Sequence, residues 1–166
     1  MFTFQQFQKK DIPLLFKWLA LPHVAEWWRE TRDYKKFETK YSKRTDDESI
    51  GQFLICHKEK SIGYISWYNA KECPFRNETF PDPTYGFDIL IADQNYFGKG
   101  YGDVVIKQFI DEKIMPMNPK KIIVDPEIAN KKAIHVYQKV GFKKIKQVQT
   151  TDGTSLVDAQ LMELDV

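Results

Sequence analysis

Between Tyr85 and Gly102 the chain runs from a largely apolar segment, YGFDILIA, through DQNYF into GKGYG. The apolar, β-branched run reads as a buried strand. The glycines behind it tolerate positive φ and let the backbone come close to a ligand. Beyond them Val105, Ile106, Phe109, Ile110 and Ile114 recur at helical spacing, and the helix is predicted to end before Pro116. A strand that empties through glycines into a helix start gathers free amides at the positive end of the helix dipole, a device for holding phosphate. Lys99 adds a point charge beside it. This is not a P-loop, because no Lys-Ser or Lys-Thr follows the last glycine. The GxGxG spacing also fails the dinucleotide fingerprint, which opens a βαβ unit rather than falling mid-chain.

The flanking sequence supplies the rest of a layered domain spanning residues 1–166. Residues 2–8 read as a strand carrying Phe2, Phe4 and Phe7. Asp11 is predicted to cap a helix with Pro13 in its first turn and Leu14, Leu15, Trp18 and Leu19 on one face, interrupted by Pro22. Tyr34, Phe37 and Tyr41 mark a second amphipathic helix. Residues 51–57 and 62–68 form a hairpin by pattern and spacing. Residues 69–84 show no periodicity, and a structureless stretch inside a compact domain points to function. Lys121 to Asp125 is a short buried strand. Asn130 is predicted to cap a helix with Ala133, Val136, Tyr137 and Val140 on one face and Gly141 past its end. A last hairpin runs over 142–164 about Thr151-Asp152-Gly153-Thr154, where Asp-Gly is the turn signal. The fold class is α/β, a mixed sheet flanked by helices.

Composition narrows the partners. The 25 basic and 23 acidic residues interleave to a net charge of +2, so no nucleic-acid footprint is expected. No apolar run approaches membrane-spanning length, and the N-terminus has no apolar stretch behind a basic start. A soluble, cytoplasmic protein without a membrane partner is expected, as a monomer or homodimer. Cys56 and Cys73 read as two reduced thiols rather than a zinc or redox pair. His23, His57 and His135 have no ligand spacing, so no metal is expected.

The strand, the glycine loop and PEIANKKAIHVYQKVGF together resemble the acetyl-CoA core of the GNAT acetyltransferase superfamily. The most specific part is N-x-x-A-x-x-x-Y-x-x-x-G-F, carried by Asn130, Ala133, Tyr137, Gly141 and Phe142. One departure is Asn95, where the family often has Gln or Arg. The resemblance implies the GNAT fold and acetyl-CoA as donor. It puts the pyrophosphate on the loop Tyr96, Phe97, Gly98, Lys99, Gly100, Tyr101 and Gly102. The pantetheine arm would follow Ile89, Leu90 and Ile91, with Asn130, Lys132 and Ala133 on the same side. Tyr137 would protonate the leaving thiolate, or else is a core aromatic.

The chain is further similar to the aminoglycoside 6′-N-acetyltransferases and their siderophore-pathway relatives. The similarity rests on His23-Val24-Ala25-Glu26-Trp27-Trp28, Ile62-Gly63-Tyr64, Val124-Asp125-Pro126 and Thr150-Thr151-Asp152-Gly153. It implies a small-molecule amine acceptor with Trp27 and Trp28 as one wall, unless they are core, and with Asp88 and Asp125 as carboxylates for ammonium groups. Asp125 could equally be a loop residue. Asp88 breaks an apolar strand, where an unpaired buried charge is costly. It is the expected base, because an alkylammonium of pKa about 10.4 must lose a proton before attack. A backbone amide of the Phe87–Ile91 strand would hold the oxyanion. Glu72, Glu78 and Asp82 are further loop carboxylates that could close over a cation. Hydroxylamine, polyamine or protein-amine acceptors, and a non-catalytic acyl-CoA sensor, are the alternatives.

Overall fold

The computed structural model describes residues 1–72, 78–151 and 154–166, with the backbone alone at Glu72. The strands are β1 (Thr3–Gln6), β2 (Ile50–His57), β3 (Lys60–Asn69), β4 (Thr84–Ile91), β5 (Lys121–Val124), β6 (Lys143–Thr151) and β7 (Leu156–Asp165). The helices are α1 (Ile12–Trp18), α2 (Pro22–Ala25), α3 (Tyr34–Thr45), α4 (Tyr101–Phe109) and α5 (Lys131–Val140). The strands form one sheet in the order β1-β2-β3-β4-β5-β7-β6. β4 and β5 run parallel, and the other neighbours are antiparallel.

Each face of the sheet is covered by its own helices. On one, α4 and α5 bury Val105, Ile106, Phe109, Ile134 and Tyr137 against Phe4, Phe53, Ile65, Phe87 and Ile122. On the other, α1, α2 and α3 bury Leu15, Trp18, Val24, Phe37 and Tyr41 against Leu54, Tyr64 and Leu90. A bulge in β3 sets this division. Ile55 faces Gly63 while Cys56 faces Ser61, so Ile62 is an extra residue. The insertion resets the two-residue alternation, sending Ile62 and Ile65 to one face and Tyr64 to the other.

Several local expectations change in the folded chain. Asp11 does not cap α1 through its side chain; its carboxylate accepts from the Gln8 amide at 2.9 Å, closing a preceding 3-10 turn. Pro22 begins α2 rather than only ending α1, since a first-turn proline has no amide to satisfy. The helical path after α4 also passes Pro116. It continues through a π turn, Ile110–Ile114, and a 3-10 turn, Met115–Met117, whose start tolerates the proline. Tyr34 is 38% exposed instead of joining the buried stripe of α3. The Asp-Gly turn of the last hairpin and Cys73 lie outside the described residues.

Candidate active site

The sheet opens between β4 and β5. They pair at Thr84–Lys121, Tyr85–Ile122 and Gly86–Ile123, yet β4 continues to Ile91. The Ala92 amide donates to Ile62 in the direction of β3. By strand alternation Leu90 and Asp88 also turn their backbone groups to β3, and Phe87, Ile89 and Ile91 turn theirs into the opening. A pantetheine arm has amide-like groups that can pair with those edges. Leu90 is therefore misplaced in the expected donor site: its backbone serves β3 and its side chain is buried in the α1–α3 core. Ile89 fits. The Ile91 carbonyl meets His23 Nε2 at 3.3 Å, so this histidine closes the end of the opening.

The glycine loop lies beyond that end. Gly98 and Gly100 have φ of 67° and 73°, in the left-handed region, and a Cβ built on either meets nothing within 4 Å. Their glycines serve conformation and the approach of a ligand, not packing. Gly102 differs, since its Cβ would come within 3.3 Å of Val136 where α4 meets α5. α3 and α5 are each capped by a side chain, with Asp33 accepting from Lys36 and Asn130 from Ala133, both at 3.1 Å. α4 is preceded at its cap position by Gly100, which has no side chain to offer, so its first amides stay available to an anion.

Some of the expected phosphate ligands are already engaged. The Tyr96 and Phe97 amides donate to the Asp93 and Gln94 carbonyls, which leaves the run from Gly98 to Gly102. Tyr96 also turns its hydroxyl inward onto His57 Nδ1 at 2.8 Å and packs its ring against Tyr101. Asn130 spends its side-chain oxygen on the α5 cap. Lys99 and Lys132 are exposed. The free amides, open glycines and unpaired β4 edge suit a pyrophosphate joined to an amide-bearing arm, as in acetyl-CoA.

Asp88 and Asp125 lie on the side of the opening covered by α1–α3. Asp88 pairs across from Ser66, and Asp125 follows β5 at the position in phase with Ile123. Both keep part of their surface open but sit deep enough that desolvation dominates their acidity. Burial raises the Asp88 carboxyl while Arg44 opposes the rise. Burial, reinforced by the Asp88 charge, pushes Asp125 up to about 8 against a hydrogen bond from Thr150. Tyr137 comes from the opposite face, on α5, with its ring edge-on to Phe87 at 5.9 Å. Its phenol is nevertheless held far above the usual tyrosine range by burial and then by the charges of Asp88 and Asp125. The split between β4 and β5 thus brings a hydroxyl from one face within electrostatic reach of two carboxylates on the other.

The tryptophans divide in role. Trp28 leans on the core, edge-on to Tyr64 at 5.9 Å, whereas Trp27 joins neither core cluster and stays half-buried. Their segment is tied on three sides. Arg29 pairs with Glu127 at 2.6 Å, Glu30 with Lys40 at 2.7 Å, and Arg32 donates to the Leu19 carbonyl at 3.0 Å. The Glu127 pair places the segment across from the Asp125 loop. Glu78 and Asp82 are committed to Lys146 and Lys71 at 2.5 and 2.8 Å, and the Glu72 side chain lies outside the described residues.

Sequence reasoning missed Arg44 and His23. Arg44 had a signal, because it lies three residues after Tyr41 in the buried stripe of α3. Among the described residues no group of three or more His, Cys, Asp or Glu could hold a metal, and no helix is long and apolar enough to cross a membrane.

Known proteins resemble the chain over most of its length. The profile of a family described as Acetyltransferase (GNAT) domain matches residues 8–150. The aminoglycoside N(6′)-acetyltransferase type 1 of Klebsiella pneumoniae is 28% identical over 165 residues, 95% of this chain and 82% of that protein. The spermidine N(1)-acetyltransferase of Vibrio cholerae is 22% identical over 142 residues, 84% of this chain and 78% of its own. A solved aminoglycoside acetyltransferase in complex with coenzyme A and kanamycin superimposes with a TM-score of 0.85. It is 27% identical and covers 99% of this chain and 95% of its own.

Proposed function

We propose, from the premise that the chain belongs to the GNAT acetyltransferase family, that its acceptor is a primary amine on a polycationic small molecule of the aminoglycoside 6′-amine type. The chain is an acetyl-CoA-dependent N-acetyltransferase. The observation that carries the acceptor reading is the pair of recessed carboxylates, Asp88 and Asp125, beside Tyr137 at the β4–β5 opening. Two carboxylates this close repel one another, and a ligand that brings ammonium groups relieves the repulsion. The half-buried Trp27 offers an apolar wall to a sugar ring face.

In this mechanism Asp88 takes a proton from the acceptor ammonium, directly or through water, and frees the amine lone pair. The amine attacks the thioester carbonyl, whose oxygen gathers charge facing the backbone amides of the β4 edge. The tetrahedral adduct collapses, the C–S bond breaks and the sulfur takes a proton from Tyr137. The proton still carried by the attacking nitrogen is lost to water and restores the phenol, so that the one net proton is the one on Asp88. The phenol holds its proton firmly through burial and then through the carboxylate charge beside it. Pairing that charge with the acceptor's cations makes it a better acid.

A thiol-release assay with acetyl-CoA tests the reading against aminoglycosides, polyamines, hydroxylamines and peptides. The expected result is the highest kcat/KM on an aminoglycoside 6′-amine. A preference for hydroxylamines or linear polyamines would overturn it.

A further inference from the structure

Residues 92–97 separate the end of the β4 edge at Ile91 from the open glycine run that starts at Gly98. One side of this connector is pinned by the β2–β3 hairpin. Lys60 pairs with Asp93 at 2.6 Å, and His57 Nδ1 meets the Tyr96 hydroxyl at 2.8 Å. The other side is held by His23, which comes from α2 and not from the sheet. Its Nε2 lies 3.3 Å from the Ile91 carbonyl and its Nδ1 3.1 Å from Gln94 Nε2. Its ring stands edge-on to Phe97, with centroids 5.2 Å apart. The partners recur at every third residue, so one imidazole spans the connector from end to end.

The two polar contacts specify the ring. A carbonyl only accepts, so the hydrogen is on Nε2, and Nδ1 accepts from the Gln94 amide group. The Ile91 carbonyl faces the opening by the same alternation that turns Ile89 into it. His23 therefore closes the edge at Ile91, and the next carbonyl toward Asp88 is that of Ile89, about 6.6 Å along the strand. A donor arm displaced by one such step would carry its thioester away from Asp88 and Tyr137, whereas attack needs reacting atoms about 3–3.5 Å apart. His23 also opens the segment that continues to Trp27 and Trp28. Val24 roots that segment in the core beneath α1–α3, so the acceptor wall and the histidine are carried by the same piece of chain.

We propose that His23 is a positioning residue: it locks the end of β4 to the glycine run, and so sets where along β4 the thioester comes to rest. This rests on the reading of the β4 edge and glycine run as the donor site, and it is independent of which amine accepts. Because α2 carries the histidine, a single side chain holds the donor and acceptor halves in register.

NMR, kinetics and calorimetry on the full chain test it. Imidazole nitrogen-15 NMR of the free protein should show His23 as a single Nε2–H tautomer, and adding coenzyme A should leave it so. The Nδ1–H tautomer, or averaging between the two, overturns the proposal. His23→Phe keeps a ring against Phe97 and removes both polar contacts, whereas His23→Gln offers an N–H to Ile91 and an oxygen to Gln94. His23→Phe should lower kcat by about 10- to 100-fold, the scale of loss that a misplacement of about 1 Å brings. Coenzyme A affinity in calorimetry should be retained, because the glycine amides are untouched, and His23→Gln should recover most of the turnover. Parent-like kcat in folded His23→Phe overturns the proposal, as does a loss confined to coenzyme A affinity or one that His23→Gln shares in full. If His23→Phe does not fold, Gln94→Leu at its exposed position cuts one of the two contacts. A lower kcat with coenzyme A affinity retained supports the proposal there, and parent-like kcat defeats it. Failure of the donor reading itself is distinguishable, since it would show as absent coenzyme A binding in the parent.

Discussion

Replacing Asp125 with Asn keeps the shape of the side chain and removes one charge from the acceptor recess. Burial and the Asp88 charge push Asp125 up to about 8. At a pH of about 7 only roughly one-tenth of the free protein then carries the charge that attracts an ammonium. Acceptor KM for the parent should therefore fall as pH rises from roughly 6 to roughly 9, in total by the factor that the charge contributes, and level off above that. An ammonium–carboxylate hydrogen bond contributes ~1.5–3 kcal/mol, or roughly 10- to 150-fold in affinity. The variant should show a deficit of that size at a pH of about 9. The deficit should shrink toward none at about 6, where the parent too is neutral at this position. Thiol release at saturating acetyl-CoA, with the acceptor varied across this range, measures both curves. The KM for acetyl-CoA should stay unchanged. A parent KM that is flat with pH, or a deficit equal at both ends, refutes the reasoning.

The same carboxyl makes a prediction for stability. A folded-state pKa raised above the unfolded value contributes stability that is present below about 3.9 and lost as pH rises through about 8. Tm of the free parent should fall over that window, and the fall should be smaller in Asp125→Asn; parallel curves by calorimetry would remove Asp125 from the account. At the loop, Gly100→Val puts a branched residue at φ 73° in open space, costing ~1–2 kcal/mol of strain with no core clash. Titration calorimetry should show a steep loss of coenzyme A affinity above an intact melting transition, and unchanged binding would reject the phosphate assignment. Tyr137→Phe keeps the ring contacts with Phe87 and Phe142 and should lower turnover by ~10²–10⁴-fold with little effect on acetyl-CoA binding. Parent-like turnover would leave Tyr137 a packing residue.

Local pattern carried much of the architecture. Apolar runs marked β2, β3 and β4, helical spacing marked α3, α4 and α5, and Asn130 and Gly141 bounded α5 as caps. These signals are legible because each depends on residues within a turn or two of one another. The glycine loop is of the same kind, since its left-handed φ values are a property of the glycines themselves. What the sequence left undecided depends on distant partners. The β4–β5 opening follows from Gly86 meeting Ile123 while Ile91, among the described residues, meets no strand on that side, and no local pattern records such a divergence. Leu90 and Ile89 looked equivalent in an apolar run until pairing with β3 turned one away from the opening. Tyr96 looked like a ligand of the loop until His57, from another strand, claimed its hydroxyl. Arg44 drew no reading from the sequence. Only packing of α3 over Tyr64 deprived it of water behind Asp88, and an arginine's electrostatic effect depends on that desolvation, which no position in the sequence carries by itself.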